Sequence, residues 1–312
     1  MTGRAAPATA PTVRVLLARA STALGPGSGP EARWIVAHAL GRLAGELVAG
    51  LDDVVEPTAV DAVQRLVDRR LAGEPLQYVL GTWEFRTLEV HVDPRVLIPR
   101  PETEHVVAIA LQELSAQARR LAPGGELVAV DLGAGSGVMA LSLAAEGAAA
   151  SPALEVWATD VSAGALEVLA VNLAALARRL PEAGGRVTTA QGSWFEALPR
   201  RLAGRVALVV SNPPYVSARE WEALDPEVRD HEPVGALVPG PTGLEAIETI
   251  LSAARRWLAP GGSIVVELAP TQAAAVVARA QGLGYEDAAV RRDLAGRLRV
   301  FVARWPGESA GG

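Results

Sequence analysis

The chain has 312 residues, half of them hydrophobic, a formal net charge of −6 and no cysteine. Without a thiol, disulfides, thiolate metal sites and cysteine nucleophiles are excluded. All 29 basic residues are Arg, so Schiff-base chemistry and a P-loop lysine are excluded as well.

The length exceeds one typical domain, which favours a large and a small one. The acidic balance argues against direct nucleic-acid binding, because phosphate neutralisation supplies most of that affinity. No apolar stretch approaches the ~18 residues of a membrane span. Arg14 and Arg19 interrupt the first apolar stretch, which makes it a poor signal-peptide core. A soluble, cytoplasmic protein is expected.

Residues 1–11 read as disordered. Val13, Leu16, Leu17, Ala20 and Leu24 then share one helical face, and so do Val60, Val63, Leu66, Val67 and Leu71 after a start near Pro57-Thr58. A Gly/Pro/Ser loop from Ser21 to Pro30 separates the first two helices. From Gly73 to Arg100 the period changes. Leu88, Val90 and Val92 alternate with Glu89 and His91, and with Gln77-Tyr78-Val79 and Gly81 ahead of them predict a β-hairpin. The run Leu97-Ile98-Pro99-Arg100-Pro101-Glu102-Thr103-Glu104 enters a helix, with Thr103 or Glu102 as its expected cap.

Beyond residue 104, helices and strands alternate, which implies a parallel sheet covered on both faces. The expected strands are Glu126–Leu132, Glu155–Thr159, Arg186–Ala190, Ala207–Ser211 and Ser263–Leu268. An antiparallel pair near Asp287–Arg291 and Arg299–Ala303 closes the chain.

Two motifs stand at carboxyl ends of these strands, where open α/β sheets bind ligands. Asp131-Leu132-Gly133-Ala134-Gly135-Ser136-Gly137 follows the first strand and opens a helix. Its G-x-G-x-G spacing suits the methionine moiety of S-adenosylmethionine better than a pyrophosphate, with Asp131 expected near the cationic end. Asp160, ending the second strand, is placed to accept ribose hydroxyls, and Trp194 to pack on adenine. Asn212-Pro213-Pro214-Tyr215 ends the fourth strand. The Asn oxygen and the Pro213 carbonyl can accept both hydrogens of a planar NH2, with the Tyr face stacked on the same plane. His38, His91, His105 and His231 are scattered and indicate no metal site.

With these residues assembled, the chain resembles the HemK/PrmC family of protein-glutamine N5-methyltransferases. The resemblance rests on Gly73–Tyr78, Leu97–Glu104, Asp131–Gly137, Asn212–Tyr215, His231-Glu232-Pro233 and Asp293–Arg297. It implies a Rossmann-like class I S-adenosylmethionine-dependent methyltransferase fold, α/β with a mostly parallel seven-stranded sheet. The expected organisation is a helical substrate-docking domain over 1–72, a β-hairpin linker over 73–100 and the methyltransferase domain over 101–312.

The implied substrate is the glutamine of the Gly-Gly-Gln loop in class I peptide chain release factors. Asn212, Pro213, Pro214 and Tyr215 would be catalytic and, with Arg100 and Glu102, substrate-binding. Asp131, Gly133, Ala134, Gly135, Ser136, Gly137, Asp160, Trp194 and Asn212 would bind the cofactor. Ser193, Ala269 and Leu298 depart from the pattern, standing where an acidic residue, a Gly and an Asp are usual. The same clamp would serve an amino-methyltransferase of adenine in DNA or RNA, or of a ribosomal-protein glutamine. A non-catalytic release-factor-binding protein is the reading from another class.

Overall fold

The structure is a computed structural model that describes residues 10–120, 125–149, 151 and 153–307. The expected disorder over residues 1–11 falls mostly outside them. Pro11, which is described, accepts a hydrogen bond from the Val55 N–H (2.9 Å), and Thr12 bridges Val54. The chain forms two compact units, Met1–Gly81 and Thr82–Gly312.

The first unit contains α1 (Val13–Leu24), α2 (Gly29–Ala39), α3 (Pro57–Leu71) and the short α4 (Leu76–Leu80). The helical apolar spacing has its cause here: Val13, Leu16, Ile35, Val36, Val63 and Val67 form one buried cluster. The break after α1 is shorter than the expected Ser21–Pro30 loop. Hydrogen bonds from the Ser28 hydroxyl to the Ser21 and Gly25 carbonyls (3.0 and 2.7 Å) tighten it. Pro30 sits in the first turn of α2, where its missing N–H has no intrahelical partner to lose. Gln77–Val79 are helical rather than extended. Gly81, left-handed at φ +71°, ends α4, and its N–H reaches the Gln77 carbonyl at 2.8 Å.

The second unit opens with the hairpin β1 (Thr82–Phe85) and β2 (Leu88–His91), closed by Arg86 and Thr87. Arg86 adopts φ +52°, a conformation that Gly or Asn more commonly supplies in such turns. Its guanidinium grips Glu146 at 2.8 and 2.6 Å, and its N–H donates to Glu104 (3.1 Å). Helix α5 (Pro101–Ala118) follows. Its N-cap is Arg100, not Thr103 or Glu102, because Pro101 fills the first helical position; Glu102 and Glu104 then lie in the first turn, where the helix dipole favours them.

The remaining elements are β3 (Leu127–Leu132), α6 (Val138–Glu146), β4 (Leu154–Asp160), α7 (Ala163–Arg179), α8 (Pro181–Gly184), β5 (Val187–Gln191) and β6 (Val206–Ser211). After them come α9 (Ala218–Trp221), α10 (Pro226–His231), α11 (Glu245–Ala254), β7 (Leu258–Glu267), α12 (Ala273–Gly282), β8 (Glu286–Arg292) and β9 (Leu298–Arg304). The seven-stranded sheet has the order β5-β4-β3-β6-β7-β9-β8, with β9 antiparallel to both neighbours and every other pair parallel. This is the expected class I methyltransferase architecture.

Every residue of β3 and β6 is buried, as helices on both faces of a parallel sheet require. Val128, Val130 and Leu132 pack with residues of α11 and α12, whereas Asp131, on the alternate face, hydrogen-bonds to α6. Strand β7 begins earlier than the expected Ser263, and its pairing with β6 shifts register between Val206 and Leu208. Gly262 is required at this irregularity, since a Cβ there would lie 2.8 Å from the Val206 carbonyl oxygen. Among the described residues, no helix is long and apolar enough to cross a membrane, and no group of three or more metal-ligating side chains could hold an ion.

Asn172, buried on α7, ties the hairpin to the loop after β3. It accepts from the His91 N–H (2.7 Å) and donates to the His91 and Ser136 carbonyls (3.0 and 2.8 Å). Its amide thus extends β2 as another strand residue would. Replacing Asn172 with Ala removes three hydrogen bonds and leaves buried backbone groups to be satisfied otherwise. We expect a loss of about 2–4 kcal/mol of unfolding free energy, measured by denaturant titration; a change within error would mean that the hairpin docks without it.

Candidate active site

Strand β3 is the point where the chain reverses direction across the sheet: β4 lies on one side and β6 on the other. At such a switch point, the connections leave on opposite faces and open a crevice at the carboxyl ends. A cavity of about 400 Å³ occupies it. That is within the ~300–1,000 Å³ usual for small-molecule sites.

The loop after β3 forms one wall. Gly133, Gly135 and Gly137 all have positive φ (+69°, +55° and +86°), and a Cβ at Gly137 would meet Leu169 at 2.8 Å. Gly133, Ala134, Gly135 and Ser136 line the cavity, while Gly137 lies behind them as the N-cap of α6. Asp160 lines the cavity too, and its carboxylate organises the loop: Oδ2 accepts from the Gly135 N–H and Oδ1 from the Ser162 N–H, both at 2.9 Å. Each oxygen keeps further lone-pair capacity for a ligand hydroxyl. Trp194 lines the cavity as well, its ring beside Gly133, where a Cβ would lie 3.5 Å from it. Trp194 has φ +48°, and the Thr159 hydroxyl donates to its carbonyl at 3.1 Å. Such strained backbone is characteristic of binding sites.

Asp131 is placed differently from the sequence expectation. It is fully buried beneath the loop and does not line the cavity. Its Oδ2 accepts from the Ala140 N–H in the first turn of α6 (2.9 Å), and its Oδ1 has no hydrogen-bond partner. Alternation along β3 explains this, since residue 131 falls on the face covered by α6.

Of the Asn-Pro-Pro-Tyr segment, Asn212 and Pro214 line the cavity; Pro213 and Tyr215 do not. The Asn212 Nδ2 donates to Thr103 Oγ1 (3.2 Å), and the Thr103 hydroxyl donates to Glu267 Oε2 (2.7 Å). The Tyr215 hydroxyl donates to the other Glu267 oxygen (3.2 Å), and the Arg299 guanidinium lies 6.0 Å from its ring centroid. Burial, then the Glu267 charge, raises the phenol well above its ordinary value, so it remains a donor. Burial also raises the Glu267 pKa, against the opposing effects of Thr103, Arg299 and Tyr215. Behind Tyr215, Gln272 Nε2 donates to the Tyr215 and Gly243 carbonyls, both at 2.9 Å.

Arg100 and Glu102 are occupied elsewhere. Arg100 pairs with buried Glu232, which also accepts from the Ile98 N–H (3.1 Å). Glu102 pairs with Arg297 at 2.7 Å. Neither lines the cavity. Thr103 and Glu267 were not singled out as site residues from the sequence. The available signal was a carboxylate closing the apolar run Ile264-Val265-Val266, since a charge ending a central strand needs partners.

Comparison with known proteins follows the same division of the chain. Residues 16–81 match the model of the PrmC N-terminal domain, and residues 114–225 that of the methyltransferase small domain. The release factor glutamine methyltransferase of Bordetella pertussis is 42% identical over 270 residues, 86% of this chain and 92% of that protein. Those of Geobacter sulfurreducens and Streptomyces coelicolor are 40% and 42% identical, over 88% and 77% of this chain and 88% and 79% of theirs.

The chain belongs to the release factor glutamine methyltransferase family. S-adenosylmethionine is its methyl donor, and the residues present fit that molecule. Positive-φ glycines let backbone approach a ligand closely, the amino end of α6 suits a carboxylate, Asp160 suits hydroxyls, and Trp194 presents a flat apolar wall.

Burial holds the Asp131 carboxyl at a pKa of about 7, with a smaller contribution from the Asp160 charge; an exposed Asp titrates near 3.9. The folded chain therefore keeps a proton that the unfolded chain has released between these values. The resulting stabilisation is complete below about pH 4 and is lost as pH rises through about 7. Without cofactor, the unfolding free energy of the wild type should fall relative to Asp131→Asn as pH is raised from 5 to 7. The expected relative slope approaches ~1.4 kcal/mol per pH unit. Parallel curves from denaturant titrations at several pH values would contradict this.

Proposed function

We propose that this protein transfers a methyl group from S-adenosylmethionine to the side-chain amide nitrogen of the glutamine in the Gly-Gly-Gln loop of class I peptide chain release factors. The observation that carries the reading is the Asn212 amide, held on the cavity wall by its own NH2, within a chain related along most of its length to release factor glutamine methyltransferases. The site work is done in the cytoplasm on a protein substrate, without a metal ion.

An amide nitrogen is a poor nucleophile because its lone pair is delocalised into the carbonyl. The bound cofactor supplies an electrophilic methyl group. Asn212 Oδ1 and the Pro213 carbonyl accept the two N–H bonds of the glutamine, fix its plane and raise electron density on nitrogen. Pro214 limits the movement of the segment. Tyr215 acts from behind, its hydroxyl on Glu267 and its carbonyl held by Gln272. The acceleration comes from orientation and preorganised acceptors. Arg95 and Asp160 are the ionisable groups on the cavity wall, and neither serves as a base, so the proton leaves to solvent once nitrogen carries positive charge.

The direct test is to incubate the protein with labelled S-adenosylmethionine and a purified release factor, then map the labelled peptide. Label on the glutamine of the Gly-Gly-Gln loop is expected; label in nucleic acid instead would replace this reading with the amino-adenine one. In single turnover, Asn212→Ala should slow transfer ~10²–10³-fold, equivalent to about 2.7–4 kcal/mol. A near-normal rate in a folded variant would reduce the segment to a turn.

The helical unit serves as the docking domain for the release factor in this reading. Leu43, Val48 and Val54 are exposed on it, which gives apolar surface for a protein partner. Removal of residues 1–81 should leave cofactor affinity intact by calorimetry and greatly reduce methylation of the intact factor. Full-rate methylation by the truncated protein would remove the docking role.

A further inference from the structure

We propose that Thr103 is a positioning residue that fixes which way the Asn212 amide faces, and so makes the clamp accept an NH2 group and reject a carboxylate. The proposal rests on the glutamine reading above and adds the origin of its selectivity.

A threonine hydroxyl has one proton to give. Glu267 Oε2 lies 2.7 Å from Thr103 Oγ1 and accepts from that hydroxyl. The proton is therefore committed to Glu267, and Oγ1 turns lone pairs toward Asn212. Only the NH2 end of the Asn212 amide satisfies them, at 3.2 Å. The flipped amide would set Oδ1 against those lone pairs and break the contact. With Nδ2 engaged, Oδ1 is the end of the amide left for a ligand.

The arrangement is anchored in rigid elements. Thr103 is buried in the first turn of α5, and Glu267 is buried at the end of β7. The Tyr215 hydroxyl donates to the second Glu267 oxygen, so both oxygens of this side chain accept and neither has a proton to return to Thr103. A loop residue, Asn212, thus takes its orientation from a helix and a central strand. Glutamine brings two N–H donors to the acceptors of the clamp. Glutamate, of nearly the same shape, brings only acceptor oxygens and finds Oδ1 opposed to it. Leaving such buried polar groups unpaired is how a hydrogen-bonding site discriminates strongly between isosteres.

The test uses the full-length chain with Thr103→Val, Thr103→Ser and Thr103→Ala. Single-turnover transfer to a release factor is measured at saturating cofactor. Inhibition by the same factor carrying Glu in place of the loop Gln is measured alongside. If the wild type fails to methylate the release factor, the proposed function itself falls.

With an active wild type, Thr103→Val should be slowed roughly tenfold or more, short of the ~10²–10³-fold loss of a preorganised partner outright. Thr103→Ser keeps the hydroxyl and should restore most of the rate. Thr103→Ala lacks it on a good helix former, and covers the case of a valine variant that does not fold. The Glu-bearing factor should inhibit the hydroxyl-free variants at several-fold lower concentration than the wild type, with affinity for S-adenosylhomocysteine unchanged. A wild-type rate without the hydroxyl, or unaltered discrimination against the Glu-bearing factor in both hydroxyl-free variants, would overturn the proposal.

Discussion

Glu267 is a carboxylate at the end of a strand buried on both faces, with only 1% of its surface exposed. An ionised group at such a depth is costly unless it is hydrogen-bonded and its charge is balanced. The partners that meet this requirement come from distant parts of the chain: Thr103 from α5, Tyr215 from the loop after β6 and the Arg299 charge from β9. One carboxylate therefore draws three elements together around the Asn-Pro-Pro-Tyr segment. Removing any partner leaves the charge less satisfied, so the geometry around Asn212 is coupled to the stability of the fold.

The Pro-Arg-Pro-Glu-Thr-Glu run follows the same logic. Each of its polar side chains engages a different element: Arg100 with Glu232, Glu102 with Arg297, Thr103 with Glu267, and Glu104 with the Arg86 N–H at the tip of the hairpin. Arg297 is shared in turn with Asp293 (2.9 Å), which brings the β8–β9 turn into the network. A run of charges on a helix start looks like a solvated, substrate-facing surface. Here it is a junction, in which each charge or hydroxyl is already taken up by another element of the fold.

Local rules explain why most elements were legible in the sequence. The strands and helices of the second unit follow from their apolar periods, and the glycine loop and the Asn-Pro-Pro-Tyr segment announce themselves by residue type at strand ends. The errors have two sources: a nonlocal partner for Thr103 and Tyr215, and a local rule passed over for Gln77–Val79 and Asp131. Thr103 has the chemistry of an N-cap, but Pro101 takes the first helical position and Glu267, far along the chain, takes the hydroxyl. Gln77–Val79 read as extended until Gly81 is recognised as the left-handed end of a short helix. Asp131 was expected in the cavity because of its place before the glycines, yet strand alternation alone puts it on the α6 side of β3. Tyr215 was assigned a stacking face; its hydroxyl partner, which turns it toward Glu267, is not visible in local sequence.

The three departures from the family pattern differ in their physical weight. Ala269 has φ −72°, an ordinary conformation for any residue, so nothing at that position demands glycine. Leu298 packs against the main core, and Asp293 and Glu102 already meet the neighbouring Arg297. Ser193 alone changes the wall of the cavity, beside Trp194. With a hydroxyl there instead of a carboxylate, Asp160 is the one acidic side chain among the described residues that line the cavity. If Asp160 and Trp194 hold the nucleoside as the sequence reading expects, its recognition leans on the ribose and the indole, and less on a second charged acceptor. A neutral hydroxyl both donates and accepts, so Ser193 leaves a hydrogen-bonding group on this wall but not one capable of the stronger, charge-assisted contact that a carboxylate would make there.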